Sequence, residues 1–190
     1  MTRLFFAVKV PENDAFMELY HELDELGKGV RSVRPGSQHL TLKFIGVPPC
    51  SVDEVKKAPE GFLNNYSPFE IDIKNVGAFP NWRRPSVLWL GLESIGKLRK
   101  MAVDLDISLN QKCNIHRERR DFRAHITVAR IKSPRSIDLI SARASMERCL
   151  GKLIEDEYTI PVKGFDLIDS ELTPDGPVYN VVKEYALGTK

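Results

Sequence analysis

Phe69, Ile71 and Ile73 alternate with Glu70, Asp72 and Lys74, the period-two pattern of a strand with one face in the core and one in water. The run continues to Val76. Comparable apolar runs predict strands over residues 3–10, Val30–Val33, Leu40–Ile45, Val87–Leu92, His125–Ile131, Tyr158–Val162, Phe165–Leu172 and Val178–Leu187. Between them the spacing changes to that of helices. Phe16, Leu19, Tyr20, Leu23 and Leu26 predict a helix from about Asp14 to Leu26, closed by Gly27 and Gly29. Ser51-Val52-Asp53-Glu54 is a capping box opening a second helix, which Pro59 shortens. Ser94 is placed to cap a third, with Ile95, Leu98, Met101, Ala102 and Leu105 facing inward. Pro134 opens a fourth, whose inner stripe is Ile137, Ile140 and Ala144 and which runs to about Leu150.

Pro35-Gly36 separates the second and third strands, and Phe79–Pro85 reads as a turn. Thr173-Pro174-Asp175-Gly176-Pro177 folds the last two strands into a hairpin. Several connections are too short for parallel crossovers, so the expected fold is α+β, with antiparallel sheets flanked by helices. No Pro/Ser-rich linker or low-complexity tract divides the chain. Residues 1–190 are therefore expected to form one domain of two related lobes, approximately 1–92 and 93–190, around a central cleft.

Composition narrows the function classes. A net charge of +2 over 190 residues is too small to mark a nucleic-acid binder, so any affinity for anions has to be local. Cys50, Cys113 and Cys149 are odd in number and lack CxxC spacing, which suits reduced thiols in a cytoplasmic protein. The apolar run Leu4–Val8 is cut short by Lys9 and Pro11, too brief for a signal sequence or a membrane span. A monomer without membrane attachment is expected. Gly27-Lys28-Gly29 lacks the context of a dinucleotide fingerprint.

The candidate chemistry lies in two segments of one form, His39-Leu40-Thr41-Leu42 and His125-Ile126-Thr127-Val128. In a strand His39 and Thr41 share one face, and so do His125 and Thr127, with the apolar residues anchored behind them. One such histidine is ordinarily a half-exposed polar residue. Two of the chain's four histidines in the same pattern carry the signal. Facing one another, they would give one imidazole to take a proton and one to donate it, which phosphodiester cleavage needs, with the threonine hydroxyls donating to the phosphoryl oxygens. Neither HExxH nor HxH spacing is present, so no metal is expected, and no GxSxG elbow marks a serine hydrolase.

The chain resembles the 2H phosphoesterases, and among them the RNA 2′,3′-cyclic phosphodiesterases, also called 2′-5′ RNA ligase-like proteins. The resemblance runs through Arg3–Ala7, Gln38–Gly46, Arg84–Trp89, Arg120–Arg130 and Ser170–Tyr179. Ala124 departs from it, since many relatives carry proline before the second histidine. The resemblance implies pseudo-twofold lobes with both His-x-Thr strands lining the cleft. It also implies hydrolysis of RNA or nucleotide 2′,3′-cyclic phosphate ends to 2′-phosphomonoesters, with no cofactor. His39 is assigned as proton donor and His125 as proton acceptor, although the near-symmetric strands allow the reverse. Two other functions compete: 2′-5′ RNA ligation at the same site, and a non-catalytic RNA-end binding module.

The basic residues near these motifs admit more than one placement. Strict alternation puts Lys43 on the face of His39 and Thr41 but turns Arg130 away from His125, although relatives often carry arginine there. Both are candidates for the phosphate. Arg117, Arg119, Arg120 and Arg123 form either an RNA-backbone patch or a solvated loop balanced by Glu118 and Asp121. Trp82 either stacks a terminal base or packs, and Phe44 and Trp89 are expected in the core.

Overall fold

Leu4–Lys9 (β1) is apolar at all but its last position and is buried on both faces, as befits a strand inside a sheet rather than at its edge. A computed structural model describes residues 3–133, 137–173 and 176–188. In chain order β1 is followed by α1 (Asp14–Glu25), β2 (Val30–Ser32), β3 (His39–Gly46), α2 (Val52–Lys57), β4 (Phe69–Phe79) and β5 (Val87–Leu92). Then come α3 (Gly96–Cys113), β6 (His125–Ile131), α4 (Leu139–Glu155), β7 (Thr159–Val162), β8 (Gly164–Thr173) and β9 (Gly176–Ala186). The architecture is α+β, as the short connections require.

The strands run in the order β7-β4-β5-β6-β3-β1-β8-β9, with β2 also paired to β6, and these neighbours are antiparallel. The two groups, β7-β4-β5-β6 and β3-β1-β8-β9, meet at a narrow seam where Leu40 of β3 faces Ile126 of β6. Each group draws strands from both halves of the sequence, so the division between residues 92 and 93 does not separate them. Helices α1 and α4 pack on one another and cover β2, β4 and β6, while α3 covers β3. Their inward side chains join one large core with Leu40, Leu42, Ile126 and Val128, which leaves the opposite face of the seam open. Leu40 and Ile126 are fully buried, and each contributes about 1.5–3 kcal/mol by leaving water.

The helix ends refine the sequence reading. Ser51 and Glu54 form the expected capping box. Ser94, by contrast, has φ +58 and caps nothing; the first turn of α3 follows Ile95 without a side-chain cap. Asp138 caps α4 by accepting from the Ile140 and Ser141 N–H groups. The inner stripe of α4 is Ala142, Ser145, Met146, Cys149 and Leu153, and Ile140 is 84% exposed. At 3.6 residues per turn Ile140 and Ala144 fall on the side of the helix roughly opposite Ala142, Met146 and Leu153, so the expected stripe is not the buried one. Pro134 and residues 174–175 of the expected hairpin turn lie outside the described residues. Strand β4 runs on to Phe79 because the adjacent turn is tight enough for Phe79 and Val87 to pair. All three cysteines are free, and among the described residues no helix is long and apolar enough to cross a membrane.

Candidate active site

The two His-x-Thr strands have the same local construction. In β3 the burial sequence from His39 is half-buried, buried, half-buried, buried, buried, exposed, and β6 repeats it from His125 to Arg130. Two successive buried residues break the strand alternation, and the cause is visible in the register. Ala7 pairs with Thr41 but Phe6 pairs with Lys43, so Leu42 is an extra residue; Trp89 pairs with Thr127 but Leu88 with Ala129, so Val128 is another. Each strand thus carries a bulge directly after its threonine. A bulge inserts one residue and exchanges the faces of everything beyond it.

That exchange reverses both placements that strict alternation gives, removing Lys43 from the cleft and bringing the candidate Arg130 into it. Lys43 is turned into the helix-covered core, where its ammonium lies 2.6 Å from Asp106 of α3 and donates to the His116 carbonyl at 2.9 Å. It is removed from the cleft and serves the packing of α3. Arg130 is turned the other way. It lines the cleft with His39, Thr41, His125 and Thr127, contrary to strict alternation. The residue of β3 equivalent to Arg130 is Phe44, which is 61% exposed rather than in the core.

Each imidazole is held by the backbone two residues upstream: His39 Nδ1 is 2.8 Å from the Ser37 carbonyl, and His125 Nδ1 is 2.7 Å from that of Arg123. A carbonyl oxygen has no proton to give, so Nδ1 donates and must carry the hydrogen. This fixes the tautomer and leaves Nε2 of both rings for chemistry. Two aromatic rings wall each imidazole. Phe5 and Tyr179 lie 5.0 and 5.1 Å from His39, and Phe79 and Trp89 lie 5.1 and 6.3 Å from His125. Trp89 fits because its neighbour across β4 is glycine; a Cβ on Gly77 would come within 2.1 Å of the indole.

The resulting cavity, about 160 Å³, is bounded by the two histidines, the two threonines, Arg130, the segment Arg31–Arg34, Ser37, Pro177 and Tyr179. Burial holds His39 below the ordinary imidazole range; the hydrogen bond to the Ser37 carbonyl opposes it, and the nearby Arg130 and His125 add smaller downward effects. Among the described residues there is no cluster of three or more His, Cys, Asp or Glu placed to hold a metal. Sequence reading missed Arg31, Ser37 and Tyr179. Arg31 is recoverable only from the β2–β6 pairing, and Ser37 acts through its backbone, so its residue type carries no signal.

The remaining candidates lie outside the cavity lining. Arg117 contacts Asp106 at 3.4 Å, and Arg119, Arg120 and Arg123 are exposed in the preceding loop. Trp82 is half-buried against the core with the Arg143 guanidinium over its ring. Trp89 belongs to the wall of the site rather than to the deep core.

A single seam carrying paired His-x-Thr strands defines the class of this protein, and it belongs to the 2′-5′ RNA ligase superfamily, whose family profile matches residues 18–167. More particularly, it is 32% identical over 189 residues to the RNA 2′,3′-cyclic phosphodiesterase of Methanothermobacter thermautotrophicus, covering 97% of this chain and 98% of that protein. It is 34% identical over 190 residues to the RNA 2′,3′-cyclic phosphodiesterase of Archaeoglobus fulgidus, covering 96% and 99%. The crystal structure of a Thermus thermophilus protein superposes with a TM-score of 0.75 at 27% identity, covering 99% of this chain and 100% of that one. E. coli LigT complexed with 3′-AMP shares the fold, with a TM-score of 0.69 at 20% identity and 99% of each chain covered.

Proposed function

We propose that this protein hydrolyses the 2′,3′-cyclic phosphate ends of RNA or nucleotides to 2′-phosphomonoesters by acid–base catalysis between two histidines, without a metal. The observation that carries the proposal is the matched pair of imidazoles, each with Nδ1 fixed on a backbone carbonyl and Nε2 left free beside a threonine. Similarity to proteins named RNA 2′,3′-cyclic phosphodiesterase supplies the substrate class.

In the reaction one imidazole takes a proton from water as the water oxygen bonds to phosphorus. The bond from phosphorus to O3′ breaks, and the second imidazole protonates that oxygen. Thr41 and Thr127 donate hydroxyl hydrogen bonds to the non-bridging oxygens, and Arg130 offsets their charge. We assign His125 to the water and His39 to O3′. The depressed His39 pKa favours neutral imidazole in the empty cleft and supports the opposite assignment, whereas a bound phosphoryl anion favours the imidazolium that an acid needs. A substrate with sulfur at the 3′ position separates the two, because a thiolate leaves without an acid. Replacing the acid histidine by alanine should spare that substrate, and replacing the base should not.

The protein acts as a cytoplasmic monomer on this reading, consistent with its free thiols. The deciding experiment incubates the protein with a nucleoside 2′,3′-cyclic phosphate in excess chelator and resolves the products. Formation of the 2′-phosphate is expected. A 3′-phosphate product, no turnover, or turnover restored only by a divalent metal would each reject the proposal.

A further inference from the structure

Arg31 and Arg130 stand directly opposite one another in the β2–β6 ladder, so both side chains leave the sheet on the cleft face. Like charges in directly paired positions destabilise a sheet. Among the described residues neither guanidinium is in an ion pair with a carboxylate. Arg31 is also held in place. Its guanidinium lies against Gly176 at the start of β9, where φ is +118 and an added Cβ would come within 2.3 Å of Nη2. The hairpin therefore leaves space for this arginine that another residue would fill.

A cyclic phosphate carries one negative charge, and an imidazolium together with Arg130 already exceeds it. Arg31 adds a further positive charge. Its level on the sheet is three residues beyond Thr127, roughly 10 Å of strand less the bulge, about a nucleotide away rather than beside the same phosphorus. Arg130 reaches back far enough to act on both His39 and Tyr179, whereas Arg31 is not among the groups that shift either.

We propose that Arg31 binds a second phosphate, the one on the 5′ side of the nucleotide whose cyclic phosphate lies between the histidines. The proposal rests on the cyclic-phosphate reading and extends it: the preferred substrate is a nucleotide that carries a 5′-phosphate or continues into an RNA strand. A bare nucleoside 2′,3′-cyclic phosphate lacks that group.

Calorimetric titration tests this with product-like ligands and needs no turnover. Adenosine 2′-phosphate, adenosine 2′,5′-bisphosphate and the dinucleotide ApA ending in a 2′-phosphate are titrated into the native protein and into Arg31→Gln and Arg31→Lys. A charge-assisted hydrogen bond changes affinity by roughly tenfold or more, so the native protein should bind the bisphosphate, the dinucleotide or both at least that much tighter than the monophosphate. Arg31→Gln should close the gap, and Arg31→Lys should keep part of it. A gain for the bisphosphate alone identifies a free nucleotide as ligand, and a gain for the dinucleotide identifies an RNA strand. Equal affinities in the native protein overturn the proposal and leave the hydrolytic function standing. An equal loss for all three ligands in a folded Arg31→Gln also overturns it, placing Arg31 on the cyclic phosphate. Failure of adenosine 2′-phosphate to bind the native protein would reject this proposal and the cyclic-phosphate reading together, and the product assay tests that reading separately.

Discussion

Leu40 and Ile126 face each other across the seam of the sheet, and each is the residue between a histidine and a threonine. The rung that joins the two groups of strands therefore also sets the spacing between the two halves of the site. Packing at this pair and catalytic geometry are one variable.

His39→Ala and His125→Ala should each lower kcat/KM on a cyclic phosphate by at least the roughly 10²–10⁴-fold of a general acid or base. The double variant should be little worse than the weaker single one, because the two proton transfers belong to one step. The native pH–rate profile should be bell-shaped, with both limbs between about pH 5 and 9, its constants belonging to the pair. Steady-state kinetics on the three variants checks this; full activity in either single variant removes that histidine from the mechanism.

Thr41→Val and Thr127→Val keep the shape and strand preference and delete one donor each. A smaller loss is expected than for the histidines, falling on kcat rather than KM. Unchanged kcat in both variants would make the threonines structural.

Lys43→Met should destabilise the fold, by about 3 kcal/mol, because it leaves the buried Asp106 carboxylate short of a partner. Denaturant titration measures this. At temperatures where the variant remains folded its kcat/KM should stay near native. A large catalytic loss without destabilisation would return Lys43 to the phosphate site.

Gly77→Ala forces a methyl group into the plane occupied by Trp89, which walls His125. The indole has to move, and kcat should fall with little change in substrate binding. Indole fluorescence and kinetics on the same preparation report both; a native spectrum with native kcat would show the wall to be dispensable.

His39 makes stability depend on pH. Its folded-state pKa lies below the ordinary value near 6.5, chiefly through burial, so the unfolded chain takes up a proton at a pH where the folded chain does not. Stability is fully present above about pH 6.5 and is lost as pH falls through the folded value. The native melting temperature should therefore drop more than that of His39→Gln between pH 7 and pH 5. Parallel curves for the two proteins would show that His39 contributes nothing to the slope.

The sequence determined the elements and the chemistry. Alternation in Phe69–Val76, the helical stripe from Phe16 to Leu26 and the repeated His-x-Thr pattern depend on neighbours a few residues apart, so they are legible along the chain. It also determined which face of His39-Leu40-Thr41 would be buried, because alternation holds over so short a run. Tertiary structure alone decided what happens one residue later. The bulges at Leu42 and Val128 arise from pairing with β1 and β5, partners far away in the chain, and they send Lys43 into the core and Arg130 into the cleft. The same holds for Arg31, which acquires its place only when β2 pairs with β6, and for the aromatic walls, assembled from β1, β4, β5 and β9. Local propensity fixes which residues alternate; the register between distant strands fixes where the alternation breaks.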